Sequence, residues 1–161
     1  MCYNWQAMTD RERFVVDCML GTLAKWLRIV GYDTLYRPYA ADHELVRLAR
    51  AEGRILLTRD RGIMHRRGVR ALFIEDETVS AQLAQVTALF SLPEGERFSR
   101  CPVCNTVLEA VPRHAAWGQV PPFVFCSHEE FKLCPDCGRF YWRGTHWQDM
   151  TRKLERLSQS Q

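Results

Sequence analysis

Two Cys-x-x-Cys pairs constrain the fold of this chain more than any other feature of its sequence. The first pair is Cys101 with Cys104, and the second is Cys134 with Cys137. Each pair places two thiolates on one tight turn, and two such turns together supply the four sulfur ligands that tetrahedral Zn²⁺ prefers. The intervening residues 105–133 exceed the roughly 15–20 residues of a simple zinc ribbon, which predicts an inserted hairpin or loop. We therefore expect a structural zinc site in which cysteine fills every position.

The cysteine usage and the N-terminal residues favour a reducing compartment over secretion. The chain has seven cysteines, an odd number, and four of them belong to the two pairs. A redox-active Cys-x-x-Cys is the alternative, but a thioredoxin-type motif needs a single pair within a βαβ unit. No apolar stretch reaches the ~18 residues of a membrane span, and residues 1–10 lack the character of a signal peptide. The sequence therefore predicts a cytoplasmic protein without a membrane partner.

Short apolar runs alternate with helical patterns between residues 13 and 92. The runs are rich in β-branched residues and do not alternate with polar ones, which is typical of strands buried on both faces. Gly31 and Gly53 mark expected helix ends, and Asp42 and Thr78 are expected N-caps. This pattern predicts an α/β fold with a parallel sheet flanked by helices. The four strands are expected near residues 14–16, 34–36, 55–57 and 69–74.

The composition changes near residues 91–95, after which Cys, Pro, His and aromatic residues become frequent. A short region with few apolar runs builds little core, and a structural metal is a usual remedy. The net charge of +3 lies in this C-terminal region, where it permits a polyanionic partner without requiring one. A final helix is expected from Thr145 to about Leu157. The predicted organisation is an N-terminal extension (1–12), an α/β domain (13–95) and a zinc ribbon with the final helix (96–161).

Acidic residues stand close to the ends of the predicted strands. Asp17 directly follows the first predicted strand, Asp60 and Asp76 come two or three residues after the ends of the third and fourth, and Asp42 and Glu44 begin the helix after the second strand. The carboxyl ends of parallel strands meet at one edge of a sheet, where carboxylates held together need a cation such as Mg²⁺ or Mn²⁺. Such a cluster is typical of metal-assisted phosphodiester hydrolysis. N-capping would also account for Asp42, and a polar turn would account for the acids around Asp76.

Residues 14–34, 55–61, 100–105 and 134–147 form four segments with long, ordered motifs. These four segments resemble the Mut7-C ribonuclease family. The likeness spans about residues 13–155, which is nearly the whole chain. It implies a PIN-like α/β nuclease domain followed by a small C-terminal zinc ribbon, and it implies ribonuclease activity.

The resemblance also implies which acids are catalytic. In PIN-like nucleases one acid ends the first strand, a second begins a helix, and a third follows the strand that carries a Thr-x-Asp motif. Asp17, Asp42 and Asp60 match these positions, and they would hold Mg²⁺ or Mn²⁺. Glu44 is a near alternative to Asp42, and Asp76 is the candidate for a fourth acid.

Four basic residues are candidates for contact with the phosphates of a substrate. Lys25 and Arg28 lie one turn apart in the first predicted helix, and Arg59 and Arg61 flank the third acid. Exposed helix charge and ion pairs with the acids are the alternative explanations. Residues 141–147 interleave aromatic and basic side chains, which favours stacking on single-stranded RNA or, alternatively, packing of the tryptophans.

These observations together predict a cytoplasmic endoribonuclease that hydrolyses RNA with a divalent metal ion. Two alternatives stay open, a non-catalytic RNA-binding module that has kept the nuclease fold and a toxin-like ribonuclease held by a partner protein. Cleavage of DNA is a further alternative, because details of the pocket decide whether the 2′-hydroxyl is recognised. Analogy with other PIN-like domains, which often pair, makes a homodimer an additional hypothesis.

Overall fold

The computed structural model of the chain describes residues 12–91, 97–145 and 148–152. Its division into two compact units falls after Asn105, beyond the change in composition near residue 95. The predicted N-terminal extension lies outside the described residues apart from Glu12. The predicted domain limits stay a prediction.

A four-stranded parallel sheet forms the centre of the first unit. Its strands are β1 (Arg13–Val16), β2 (Asp33–Tyr36), β3 (Ile55–Thr58) and β4 (Ala71–Phe73). They lie in the order β2-β1-β3-β4, and every neighbouring pair is parallel. The predicted parallel sheet is therefore confirmed, although β4 is shorter than the apolar run that predicted it.

Helices cover both faces of this sheet. They are α1 (Gly21–Val30), which follows a 3-10 turn at Cys18–Leu20, α2 (Asp42–Glu52), α3 (Arg61–Met64) and α4 (Val79–Leu89). Val15 and Leu56 pack with residues of α2 on one face. Phe14 points to the opposite face, because side chains alternate along a strand, and its ring contacts those of Tyr32 and Phe90. None of the helices in the described ranges is long and apolar enough to cross a membrane.

The helix ends show which local predictions hold. Gly31 ends α1 in the left-handed region at φ 109°, and Thr78 caps α4 by accepting a hydrogen bond from the Ala81 amide. The prediction that Asp42 is an N-cap is wrong, because Ala41 occupies that position and Asp42 is the first helical residue. The carboxylate of Glu44 accepts the Ala41 N–H at 3.0 Å, so Glu44 fulfils the capping role.

The second unit is built on a small antiparallel sheet. Its strands are β5 (Glu109–Val111), β6 (Phe131–Leu133) and β7 (Phe140–Tyr141), in that order. The insertion between the cysteine pairs contains a 3-10 turn at Arg113–Ala116 and helix α5 (Pro122–Ser127). Among the described residues of this unit, Ala116, Val120 and Phe131 form a buried hydrophobic cluster.

The predicted final helix is only partly described. Thr145 and residues 148–152 are helical, and the Gln148 amide donates to the Gly144 carbonyl at 3.1 Å. Thr145 is therefore already inside the helix and is not its N-cap, because the first helical hydrogen bond is accepted by the preceding residue. The predicted end of this helix, and two residues of the aromatic segment, His146 and Trp147, lie outside the described residues.

Candidate active site and cysteine cluster

The register of the parallel sheet places Asp17 beside the end of β3. Val16 is opposite Leu57, and the Asp17 amide donates to the Leu57 carbonyl at 3.0 Å. The Asp17 side chain is only 4% exposed. Burial of a carboxylate is unfavourable unless hydrogen bonds or a cation offset the loss of water. The hydrogen-bond partners of Asp17 therefore decide whether this carboxylate is available to a cation.

Thr58, the last residue of β3, connects two of the predicted acids. Its hydroxyl donates to Asp17 Oδ2 at 2.7 Å and accepts the Asp60 N–H at 2.9 Å. Asp60 Oδ1 in turn accepts the Gly62 N–H at 2.6 Å, which fixes the Asp60 side chain at the start of α3. The sequence alone predicts no separate role for Thr58, although the Thr58-Arg59-Asp60 spacing contains the signal that points to one.

Asp42, the predicted acid at the start of a helix, is exposed in the first turn of α2. It lies near enough to Cys18 to affect that thiol electrostatically. The hydrogen bond with Asp17 raises the pKa of Cys18, and the charges of Asp17 and Asp42 act in the same direction. The raised pKa disfavours the thiolate form of Cys18.

The structure does not bring the three acids into one tight cluster. In the described part of the chain, the only group of three or more metal-ligating side chains within 4.8 Å is formed by cysteines. Glu44 is engaged at the N-terminus of α2, and the Asp76 side chain is exposed. The donor chemistry still fits Mg²⁺, which takes oxygen ligands and is commonly held by one or two carboxylates together with water and substrate phosphate.

Three of the basic candidates lie at or near the protein surface. Arg59 donates to the Asp76 carbonyl at 3.1 Å and forms an ion pair with Glu77, outside the predicted acids, at 3.5 Å. Arg61 is exposed, with its guanidinium 5.3 Å from the centre of the Phe73 ring. Lys25 is exposed on α1.

The prediction that Arg28 contacts substrate phosphate is wrong. Its side chain is buried, and its guanidinium donates to the carbonyls of Thr34 at 2.9 Å, Pro102 at 3.1 Å and Val103 at 2.8 Å. Burial lowers the pKa of Arg28 despite the opposing influence of Cys101 and other acidic groups. Arg28 is therefore a structural residue that joins α1 to the turn containing the first cysteine pair.

Asn105 attaches the same turn to the outer edge of β2. Its side chain accepts the Thr34 N–H at 3.0 Å and donates to Asp33 Oδ1 at 2.8 Å. Asp33 also forms an ion pair with the buried Arg54 at 2.8 Å. Burial acts against the charged form of Asp33, but the hydrogen bonds from Arg54 and Asn105 outweigh it and hold the pKa of this carboxyl below its ordinary value.

The lowered pKa of Asp33 makes stability depend on pH in a defined direction. A carboxyl whose pKa is lower in the folded state contributes stability above its unfolded-state pKa, near 4, and loses it as the pH falls through the folded-state value. We therefore expect the difference in free energy of unfolding between wild type and Asp33→Asn to shrink below about pH 4. Urea unfolding of both proteins above and below about pH 4 measures this difference in free energy, with Asp149→Asn as the control. A difference that does not depend on pH would contradict the proposed contribution of the Asp33 charge.

The four cysteines of the two pairs form a candidate metal centre. Their sulfur atoms all lie within 4.8 Å of one another. Zn–S bonds of about 2.3 Å in a tetrahedron place sulfur atoms about 3.8 Å apart, so this arrangement fits zinc. The two turns share a hydrogen-bonding pattern, since the Asn105 amide donates to the Cys101 carbonyl and the Gly138 amide donates to the Cys134 carbonyl, both at 2.9 Å.

Replacing Arg28 should destabilise the first unit strongly. The Arg28→Met variant keeps most of the apolar stem but leaves three carbonyls without their donor, so we expect a loss of about 2–4 kcal/mol in the free energy of unfolding. Urea denaturation measures it, and Lys25→Met on the same helix is the matched control, because that side chain is exposed. Equal stability of the two variants would contradict the structural role of Arg28.

The fold and these two sites define an α/β protein with acids at the carboxyl edge of its parallel sheet and a four-cysteine cluster that could hold a metal ion such as zinc. The family model described as Mut7-C RNAse domain matches residues 12–154. The chain therefore belongs to the Mut7-C RNAse domain family, which confirms the resemblance of its motifs and indicates a ribonuclease with RNA as its substrate class. No curated protein and no solved structure matches the chain. The PIN-like assignment stays a prediction.

Proposed function

We propose that this protein is a divalent-metal-dependent endoribonuclease whose reaction takes place at the carboxyl edge of the parallel sheet. The observation that carries the proposal is the buried carboxylate of Asp17, linked to Asp60 through Thr58. In the described ranges of the chain, no salt bridge involves Asp17, Asp42 or Asp60. Carboxylates without a basic partner are available to bind a cation.

Asp17 and Asp60 would hold the ion, with Asp42 contributing from the first turn of α2. A bound Mg²⁺ or Mn²⁺ would polarise the phosphoryl group. It would also lower the pKa of a water molecule bound to it, so that this water becomes a better nucleophile at neutral pH. Hydrolysis adds the oxygen of water to phosphorus and breaks one P–O bond, and the leaving oxygen gains a proton. The family membership supports RNA as the substrate.

The other groups at this edge orient the carboxylates and receive the substrate. The Thr58 hydroxyl fixes one oxygen of Asp17, and the Gly62 N–H fixes one oxygen of Asp60, so both side chains are ordered before substrate arrives. Arg61 is exposed beside Asp60, and Lys25 is exposed on α1. Both are available for contact with phosphate, whereas Arg59 would first have to leave Glu77.

Cleavage of labelled single-stranded RNA, with DNA of the same sequence beside it, tests the proposal. The zinc-loaded protein is freed of weakly bound ions without a strong chelator, its zinc content is verified, and Mg²⁺ or Mn²⁺ is then added. We expect cleavage within the RNA only after the addition, and slower or no cleavage of the DNA. Cleavage at full rate before the addition would contradict metal dependence, and binding of RNA without cleavage in every condition would favour the non-catalytic RNA-binding module.

Replacing Thr58 by valine removes the hydroxyl and keeps nearly the same side-chain shape, and it should lower the activity of the site. In Thr58→Val we expect cleavage to fall about 10- to 100-fold, because Asp17 and Asp60 lose the group that orients them. We also expect a loss of about 1–3 kcal/mol in the free energy of unfolding, since polar groups are left without partners.

The Mn²⁺ concentration for half-maximal cleavage separates a positioning role of Thr58 from a purely structural one. It should rise in Thr58→Val, return towards wild type in Thr58→Ser, and stay unchanged in Thr87→Val, a matched control in α4. An unchanged Mn²⁺ requirement in Thr58→Val would show that Thr58 does not position the carboxylates.

A further inference from the structure

A basic cleft lies on the solvent-exposed side of α2, within the first unit. It has a volume of about 500 Å³, and its lining contains three arginines and one histidine but no carboxylate. We call it the arginine cleft. The residues that line it are His43, Val46, Arg47, Arg50, Ala51 and Arg66. None of the sites described above uses any of them.

The helical spacing of α2 creates one side of the cleft. His43, Arg47 and Arg50 are four and then three residues apart, so they share one face of the helix. The core side chains of α2, among them Leu45 and Ala49, occupy the opposite face. The basic residues are therefore not needed to pack α2 onto the sheet.

The loop after α3 supplies the other side of the cleft. Arg66 lies there, and the neighbouring Arg67 carbonyl accepts a hydrogen bond from the Arg50 guanidinium. This bond attaches the loop to α2. In the described residues, neither Arg47 nor Arg66 has a carboxylate partner. Two free guanidinium groups in a concave site form a surface for an anion, because arginine pairs well with phosphate.

The cleft begins beside the candidate active site. His43 directly follows Asp42, and Arg50 lies about 10 Å further along the helix, at 1.5 Å per residue. We propose that the arginine cleft binds backbone phosphates of the RNA next to the position of cleavage. The inference rests on the proposed function for its substrate, and it assigns that substrate a path along α2. Contacts of this kind increase affinity without selecting a sequence.

Binding of a labelled single-stranded RNA of mixed sequence, measured over a salt series, tests the cleft. The zinc-loaded protein, with all of residues 1–161, is used without added Mg²⁺ or Mn²⁺, so that affinity is measured apart from cleavage. We expect Arg47→Gln with Arg66→Gln to bind about tenfold more weakly. The slope of log affinity against log salt should become shallower by about 1.4, since each phosphate contact on a single strand contributes about 0.7.

Two further variants control for charge and packing. Arg47→Lys with Arg66→Lys keeps both charges and should keep most of the affinity. Arg97→Gln with Arg139→Gln removes two exposed charges outside the cleft and should bind nearly as wild type does. Equal losses in the glutamine and lysine variants, or in the glutamine and control variants, would overturn the proposal. Displacement of the RNA by a polyglutamate peptide at a similar charge concentration would also overturn it, because the cleft would then suit an acidic protein.

The cleavage assay on the same variants separates this inference from the proposed function. Weaker binding by the glutamine variant of a protein that never cuts RNA would support the cleft and contradict the proposed activity. If wild type cleaves RNA and the glutamine variant binds RNA as wild type does, the proposed function is supported and the proposed role of the arginine cleft is contradicted.

Discussion

The Cys134→Ser variant is expected to lose its zinc and the cooperative unfolding of the antiparallel sheet. The Cys134 sulfur is buried within the four-cysteine cluster, and few of the second unit's described residues are buried and apolar. In small zinc domains the metal supplies an apparent folding free energy of about 10–16 kcal/mol, which so small a core has no means of replacing. The expected loss is therefore far larger than that of an ordinary core substitution.

Zinc content and thermal unfolding of purified protein measure the effect of Cys134→Ser. Cys126→Ser is the matched control, because Cys126 is an exposed cysteine of α5 outside the cluster. The control should retain one zinc per chain and the stability of wild type. A Cys134→Ser protein that keeps its zinc and unfolds at the wild-type temperature would show that the cluster is not a structural metal site.

The Asp17→Asn variant is expected to lose at least about 10³-fold in the rate of RNA cleavage. Asparagine has nearly the shape of aspartate and still accepts the Thr58 hydrogen bond, so the fold should stay intact. The negative charge is lost, however, and with it the main reason for a cation to bind at this edge. Affinity for RNA should change little, because the basic residues available for phosphate contact, Lys25 and Arg61, are unchanged in this variant.

Single-turnover cleavage with saturating protein separates the rate of reaction from binding in this comparison. Asp149→Asn, at an exposed aspartate of the second unit, is the matched control and should cleave RNA as fast as wild type. Retention of more than about a tenth of the rate in Asp17→Asn would contradict a catalytic role for this carboxylate.

Local sequence patterns predicted the strands and most helix ends because each depends on residues close together in the chain. Unalternating apolar runs identified β1, β2 and β3, and Gly31 identified the end of α1. The prediction that Asp42 is the N-cap was wrong because two nearby acids can cap this helix. Glu44 does so from inside the first turn. Composition alone does not reveal which of two nearby acids will take that role.

The roles of Arg28 and Asn105 depended on contacts that sequence reasoning does not reach. An arginine one helical turn from a lysine is ordinarily a surface residue, yet Arg28 is buried against carbonyls from residues 102 and 103. Asn105 likewise pairs with Asp33, 72 residues away in sequence. The orienting role of Thr58 likewise depends on its register beside Asp17, and the Thr58-Arg59-Asp60 spacing is its sign in the sequence.

Direct measurement of Mn²⁺ binding is the most decisive test of the central claim, that carboxylates at the sheet edge hold the catalytic ion. Electron paramagnetic resonance reports free Mn²⁺ during titration with zinc-loaded wild type, Asp17→Asn and Asp149→Asn proteins. We predict saturable binding by wild type and Asp149→Asn, loss of that binding in Asp17→Asn, and RNA cleavage that follows the same saturation curve. Equal Mn²⁺ binding by all three proteins, or RNA cleavage by wild type with no bound Mn²⁺, would contradict the account.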